Sequence, residues 1–416
     1  MKLTRREWGL SAAAALAQAG CSSAPDAASE KTKDVAIAMP PGDLLKSSIV
    51  LDLHCDTPML ITDEGFNLGE RHDYGQVDIP RMRDGGVSGV FFSIYTSATA
   101  QPSAESTKRA LAIIEAVQKE VARHPDDLLA AVSADDIVRA KQEGKIAILM
   151  GVEGGHMIDA GLGHLRHFHE LGARYLTLTH TADTPWAGSS GAKSSGKGLT
   201  DFGREVVREM NRLGMMVDVS HVSDRTFFDV LETSSSPIIA SHSSCRALAD
   251  HPRNMTDSML LMLSKKGGVA HINYYNSFLD DEYRRKSNAL SDMDALADAV
   301  RKKYANNIKQ LSIELRKIDQ QRIERTGRIP LSRLLDHIEH AVKITGVDHV
   351  GLGSDFDGVN DQTPAGMEDI SKIPNLVAGL QERKFPDADI QKILGGNTLR
   401  VMRAVEAAAA SPTAAV

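Results

Sequence analysis

Residues 215–242 read MMVDVSHVSDRTFFDVLETSSSPIIASH, and this run decides the fold. Met215–His221 is a short apolar stretch rich in β-branched residues, and Pro237–His242 is a second one. Between them Asp224–Glu232 has the length and mixed polarity of a helix. Strand, helix and strand in immediate succession make a βαβ crossover, which pairs parallel strands. Both strands close on a histidine.

Working outward, the same rhythm recurs. Ile49–His54, Val87–Tyr95, Ile146–Glu153, Tyr175–His180, Gly268–Tyr274 and His349–Asp355 read as further strands, giving eight in all. Helix-like stretches such as Thr107–Ala122 and Phe202–Leu213 separate them. Eight alternating units predict an α/β protein built as a single (β/α)8 TIM barrel, with a doubly wound sheet as the competing architecture. Some 70 residues separate Tyr274 from His349, and 280–328 is dense in charge. Ala295, Leu296, Ala299, Val300 and Tyr304 recur near helical spacing there. This predicts a helical insertion between strands seven and eight, read first as decoration of the barrel and second as a lid or subunit contact.

The ends of the chain read differently. Residues 1–21 look like an export signal: Lys2, Arg5 and Arg6 precede an apolar stretch too short to span a bilayer. The run Thr4–Leu10 resembles the twin-arginine pattern, and Cys21 after Gln18-Ala19-Gly20 fits a lipoprotein cleavage site except at Gln18. Residues 22–46 read as a flexible tether, 47–405 as the barrel and 406–416 as a disordered tail. The expectation is an exported bacterial protein, periplasmic or held at the membrane through a lipidated Cys21.

Composition excludes several classes. Hydrophobic residues are 42% and charged residues 25%, ordinary for a globular enzyme. A net charge of −7 and 5% aromatics argue against a nucleic-acid partner. Three cysteines make no disulfide framework.

Chemistry gathers at the predicted strand ends, where barrel enzymes keep their active sites. His54 and Asp56 follow strand one, Glu153 strand three, His180 strand four, His221 strand five, His242 strand six and Asp355 strand eight. At the density of 15 histidines in 416 residues, eight random positions would hold about 0.3 of one; here four hold one each. His54 and Asp56 are two apart, so an extended strand projects both to one face. Imidazole with carboxylate suits zinc, with manganese or cobalt as substitutes. His221 and His242 can converge on a second ion, and the two oxygens of Glu153 can bridge the pair.

These motifs resemble the membrane (renal-type) dipeptidases. The resemblance rests on Leu51-Asp52-Leu53-His54-Cys55-Asp56, Gly151-Val152-Glu153-Gly154-Gly155, Leu176–His180, Val217–His221, Ser241-His242-Ser243, His251-Pro252-Arg253-Asn254 and Gly353–Gly358. It runs from about Val50 to Arg400. It implies a (β/α)8 barrel with two Zn2+ ions that hydrolyses dipeptides, including those with a C-terminal D-residue, by a metal-bridging hydroxide. His54 and Asp56 would bind one ion, His221 and His242 the other, and Glu153 both. His180 would contact the substrate carbonyl or developing oxyanion, and Arg253 the substrate carboxylate. Asp355 would move a proton or bind the free amine. The resemblance also implies a homodimer as a partner arrangement.

Neighbouring groups get plainer readings. Cys55, where animal relatives carry Asn, should pack behind the barrel wall, and Asp357 should be structural. His156, His164, His167 and His169 show no shared metal-binding face, and His271 lies inside a strand. Two other functions compete. One is a different metal-dependent amidohydrolase, such as a lactonase or β-lactam amidase. Against it, many such barrels carry a modified lysine where this chain has His180. The other is a non-catalytic peptide-binding lipoprotein, which would not need every ligand intact.

Overall fold

A parallel strand packed on both faces needs apolar or small residues throughout, and every residue of Ile146–Glu153 is buried. The computed structural model describes residues 38–97, 103–159, 161–192 and 196–409. The export signal with Cys21, the first part of the 22–46 segment and the last residues of 406–416 lie outside the described residues. The strands are β1 (Leu51–Cys55), β2 (Gly89–Tyr95), β3 (Leu128–Ala130), β4 (Ile146–Glu153), β5 (Ala173–Thr177), β6 (Met216–Asp218), β7 (Ile238–Ala240), β8 (Val269–Ile272) and β9 (Val350–Leu352).

All pairings are parallel, in the order β1-β2-β4-β5-β6-β7-β8-β9. The ring is completed where Asp355 N donates to His54 O (3.0 Å) and Asp56 N to Phe356 O (2.8 Å). That closure decides for the eight-stranded barrel over the doubly wound sheet. Strand β3 was not anticipated. It pairs with the first half of β4 (Leu128 opposite Ile146), while β5 pairs with the second half (Val152 opposite Leu176). Along β4, Ile146, Ile148, Met150 and Val152 pack into the large core that includes the surrounding helices. Ala147 and Leu149 join the second cluster with Leu51, Leu53, Phe91 and Tyr175.

The quoted βαβ unit forms with shorter strands than Met215–His221 and Pro237–His242 predict. The cause is Asp218. Its Oδ1 accepts the backbone N–H of Ser220 (3.0 Å) and Ser241 (2.8 Å), drawing both amides out of the ladder. The helix Asp224–Thr233 starts where Ser223 accepts from Thr226 N, a cap worth about 1 kcal/mol.

Both segment boundaries move. Pro41–Ser47 is helical with Leu44 and Leu45 buried, so the folded body starts before residue 47. At the other end, Asn397–Ala408 is one helix, and Glu406 accepts from Ala134 N (2.9 Å). The insertion is three helices, Asp281–Asn288, Ser291–Lys303 and Ile308–Thr326. Its small core uses Met293, Ala297 and Val300 against Leu315 and Ile318. That inward face is spaced i, i+4, i+7, and Leu296, expected on it, is 43% exposed.

Candidate active site

One carboxylate oxygen organises the mouth of the barrel. Glu153 ends β4, and its Oε1 lies 3.0 Å from His221 Nε2, 3.3 Å from His242 Nε2, 3.5 Å from His54 Nε2 and 3.9 Å from His180 Nε2. His54 Nε2 is also 3.5 Å from Asp56 Oδ2. The Nε2 atoms of His221 and His242 stand 2.9 Å apart. Glu153, His54, His221 and His242 are all buried.

The barrel interior aims these rings. Tyr175, on β5, reaches across to His54 Nδ1 (2.9 Å) and lies 3.3 Å from Leu53 O. The phenol donates to the carbonyl and so accepts from Nδ1–H, which leaves the His54 Nε2 lone pair free. This reach depends on Gly151: a Cβ there would lie 1.9 Å from the Tyr175 ring. His221 sits just past β6 with φ 67°, a left-handed turn that points its ring back over the mouth. Asp355 has φ 65° and accepts from Asn273 Nδ2 (2.8 Å). Gly358 keeps the space beside it open, since a Cβ there would fall 2.1 Å from Asp56 Oδ2 and 2.5 Å from Asp355 Oδ1.

Burial alone would raise the Glu153 pKa, but His54, His180, His221 and His242 outweigh it and hold the carboxyl well below its usual range. Burial opposes charge on His54, yet Tyr175, Glu153 and Asp56 together carry its pKa well above normal. Burial, helped by Arg253 and neighbouring imidazoles, pushes His221 and His242 well below normal. The cluster therefore draws a positive charge to its centre while two of its rings refuse protons. A divalent cation meets that demand. His54 Nε2 is buried without a hydrogen-bond partner, and the imidazole–carboxylate set matches zinc, manganese or cobalt. The residues fit a metal.

Among the described residues, donor atoms within 4.8 Å of one another fall into three groups: His54–Glu153–His242, Glu153–His180–His221 and His54–Asp56–Asp355. All seven predicted rim residues thus come together. The expected division is less clean than foreseen, because Asp355 stands with His54 and Asp56, and His180 with His221. Oε1 of Glu153 makes these approaches to the imidazoles, while Oε2 accepts from Ser93 Oγ (3.1 Å).

A cleft of about 350 Å³ opens above this centre, the size of a small-ligand site. Met59, Tyr95, Tyr275 and Phe278 supply its apolar wall, and Arg253 and Asp355 are among its charged lining. Arg253 donates to His242 O (3.2 Å), and its guanidinium lies 5.4 Å from the Phe278 ring centre. Its Nε is buried and unpartnered. Burial lowers its pKa to about 10, which leaves it cationic at neutral pH. Burial, reinforced by Asp56, pushes Asp355 up to about 7.

The plainer readings fit what surrounds those groups. Cys55 is buried in the core with Sγ 3.9 Å from Ser354 Oγ. Asp357 accepts from Thr57 Oγ1 and Gln76 N, both at 2.6 Å, as a structural residue would, although it also contributes to the cleft lining. His156 pairs with Thr96 Oγ1, and His271 is held between Ala240 O and Thr398 Oγ1. Tyr175, Ser93 and Asn273 were missed, because each acts through a side chain on a different strand.

An eight-stranded parallel barrel with imidazoles and carboxylates gathered at its strand ends defines a metal-dependent hydrolase. A family model described as membrane dipeptidase, peptidase family M19, matches residues 41–415, and the chain belongs to that family of metallopeptidases. It is a dipeptidase by that membership. An uncharacterised dipeptidase of Schizosaccharomyces pombe is 34% identical over 384 residues, covering 88% of this chain and 82% of the relative. The crystal structure of the probable dipeptidase PvdM from Pseudomonas aeruginosa is similar at TM-score 0.75 and 26% identity, over 89% of this chain and 98% of that one. A metallopeptidase of Rhodobacter sphaeroides, liganded with a phosphinate mimic of the dipeptide L-Ala-D-Ala, is similar at TM-score 0.71 and 25% identity, over 86% of this chain and 99% of that one.

Proposed function

We propose that the chain is an exported binuclear zinc dipeptidase that accepts a D-residue at the C-terminal position of its substrate. The observation that carries the metal reading is the meeting of four imidazole nitrogens on Glu153 Oε1, with His54 Nε2 buried and unpartnered. His54 and Asp56 would hold one ion, His221 and His242 the other, with Glu153 shared. When bound, such ions acidify water and polarise a carbonyl.

The chain's own residues do the rest. Arg253 grips the C-terminal carboxylate, since a guanidinium matches that group bidentately. His180 Nε2 faces the reacting carbonyl and stabilises its oxygen as charge develops. Asp355, which also lines the cleft, passes a proton to the leaving nitrogen or holds the free amine. The apolar wall of Met59, Tyr95, Tyr275 and Phe278 takes the side chains. The phosphinate mimic bound by the Rhodobacter relative supports a place for D-alanine. The positively charged, apolar start of the chain supports export.

A panel of L,L and L,D dipeptides, assayed with and without chelator and after zinc restoration, tests this. Cleavage lost to the chelator and restored by about two zinc ions per chain is expected. Hydrolysis indifferent to chelation would sink the metal reading, and cleavage confined to L,L substrates would remove the D-residue.

A further inference from the structure

Four imidazoles face Glu153, and among the described residues they are backed in three different ways. His54 Nδ1 meets the Tyr175 phenol. The Nδ1 atoms of His180 and His221 are buried with no partner. Only His242 is backed by a carboxylate, through one intervening hydroxyl: its Nδ1 lies 2.7 Å from Ser241 Oγ, which lies 2.6 Å from Asp218 Oδ2. We propose that Asp218 and Ser241 form a positioning relay that fixes the His242 tautomer, with the proton on Nδ1 and the lone pair on Nε2 toward Glu153. The proposal deepens the reading of His242 as a metal ligand and rests on it.

Counting protons gives the direction of the relay. An ionised carboxylate only accepts. Oδ1 of Asp218 takes the N–H groups of Ser220 and Ser241, and Oδ2 takes the hydroxyls of Thr177 (2.5 Å) and Ser241. The Ser241 proton is therefore committed to Asp218; its other hydroxyl neighbour, Ser220 Oγ, is farther away at 3.4 Å. Ser241 Oγ can then only accept from His242, so the imidazole N–H must be at Nδ1. The tautomer is assigned from this network of donors and acceptors. Asp218, Ser241 and His242 are all buried, so water does not compete for these bonds. The backbone pins the arrangement as well, since His242 N donates to Ser220 Oγ (3.0 Å).

The substitution Asp218→Asn reverses the relay while keeping the shape. The two backbone N–H groups require the amide oxygen at the Oδ1 position, which places NH2 beside Ser241. Ser241 must then accept from the amide and donate to His242 Nδ1, forcing the ring proton to Nε2. Nitrogen-detected NMR of the metal-stripped chain with labelled histidine reads the tautomer without any turnover. The expected result is Nδ1–H in the parent and Nε2–H in Asp218→Asn, with zinc affinity by chelator competition lower by about 10–100-fold. An unchanged tautomer in a folded Asp218→Asn, or zinc affinity within threefold of the parent, overturns the relay.

Asp218 also holds the β6–β7 backbone, so Ser241→Ala provides a second test should Asp218→Asn not fold. It should leave His242 as a mixture of tautomers and weaken zinc about tenfold; a single Nδ1–H form with parental affinity overturns the relay. His242→Ala separates the two readings. Undiminished zinc in that variant removes His242 as a ligand, whatever the tautomer result.

Discussion

Arg253 shows what one side chain can contribute to selectivity. Its guanidinium is buried, cationic and incompletely hydrogen-bonded, with Nε unpartnered beside the cleft. A buried cation with spare donors is costly unless an anion arrives. Arg253→Ala should therefore raise KM for dipeptides by about 100-fold, a few kcal/mol of charge-assisted bonding. A dipeptide amide, lacking the free carboxylate, should lose far less. Steady-state kinetics on the pair decides, and equal losses on both would mean Arg253 does not read that group. At this scale His54, Asp56, Glu153, His221 and His242 were legible in the sequence, because strand-end imidazoles and carboxylates are rare and their motifs ordered. Tyr175, Ser93 and Asp218 were not. Their importance comes from contacts across strands far apart in sequence, and no periodicity records which hydroxyl meets which ring.

Among the elements, the insertion is tied to the barrel in part through the Glu64 carboxylate, alongside the buried Tyr283, whose hydroxyl meets Gln362 Oε1 (3.3 Å). Glu64 ends the helix Thr57–Glu64 that begins beside Asp56. It accepts from Arg316 Nη2 (2.7 Å) and Ser312 Oγ (2.5 Å), while Arg316 stacks 4.5 Å from the Tyr74 ring centre. No residue of 281–326 lines the active-site cleft, which favours the decorating reading over a lid. Glu64→Ala leaves the Arg316 cation without its partner. Arg316 is partly exposed, so the loss falls below the about 3–5 kcal/mol of a fully buried pair; a lower Tm and faster proteolysis near residues 304–307 are expected. Dipeptide KM should stay within about threefold; a large KM change would make the insertion part of the site. The barrel strands and the helical insertion were legible from apolar runs and charge density. The short β3 was not, because three residues carry too little pattern. Strand lengths at β6 and β7 were overestimated because Asp218 captures amides that the apolar runs assign to the ladder.

For the whole molecule, acid is the condition most informative about the buried interior. Burial depresses His271 to about 3 and His337 to about 4. A histidine whose folded pKa lies below the ordinary 6.5 stabilises the fold above that value. The contribution is lost as pH falls from about 6.5 toward the folded pKa, because the unfolded chain then binds more protons. Asp357, pushed up to about 7 by burial, works the other way between its ordinary 3.8 and 7. Comparing the metal-stripped parent with His271→Gln isolates one histidine. Urea unfolding between pH 6.5 and 4 should show a shallower loss of stability in the variant, by up to about 1.4 kcal/mol per pH unit. Identical slopes would mean that His271 titrates normally in the fold. The placement of the chain ends has a practical consequence. Leu45 and Ser48 lie against Lys141 and Ser88 near the starts of the strands, and Gly214, just ahead of β6, lies against Ala409. Both ends of the folded body thus emerge on the side opposite the catalytic mouth. A resin or fusion partner joined at either end would leave that mouth facing outward, free to meet small peptides from solution.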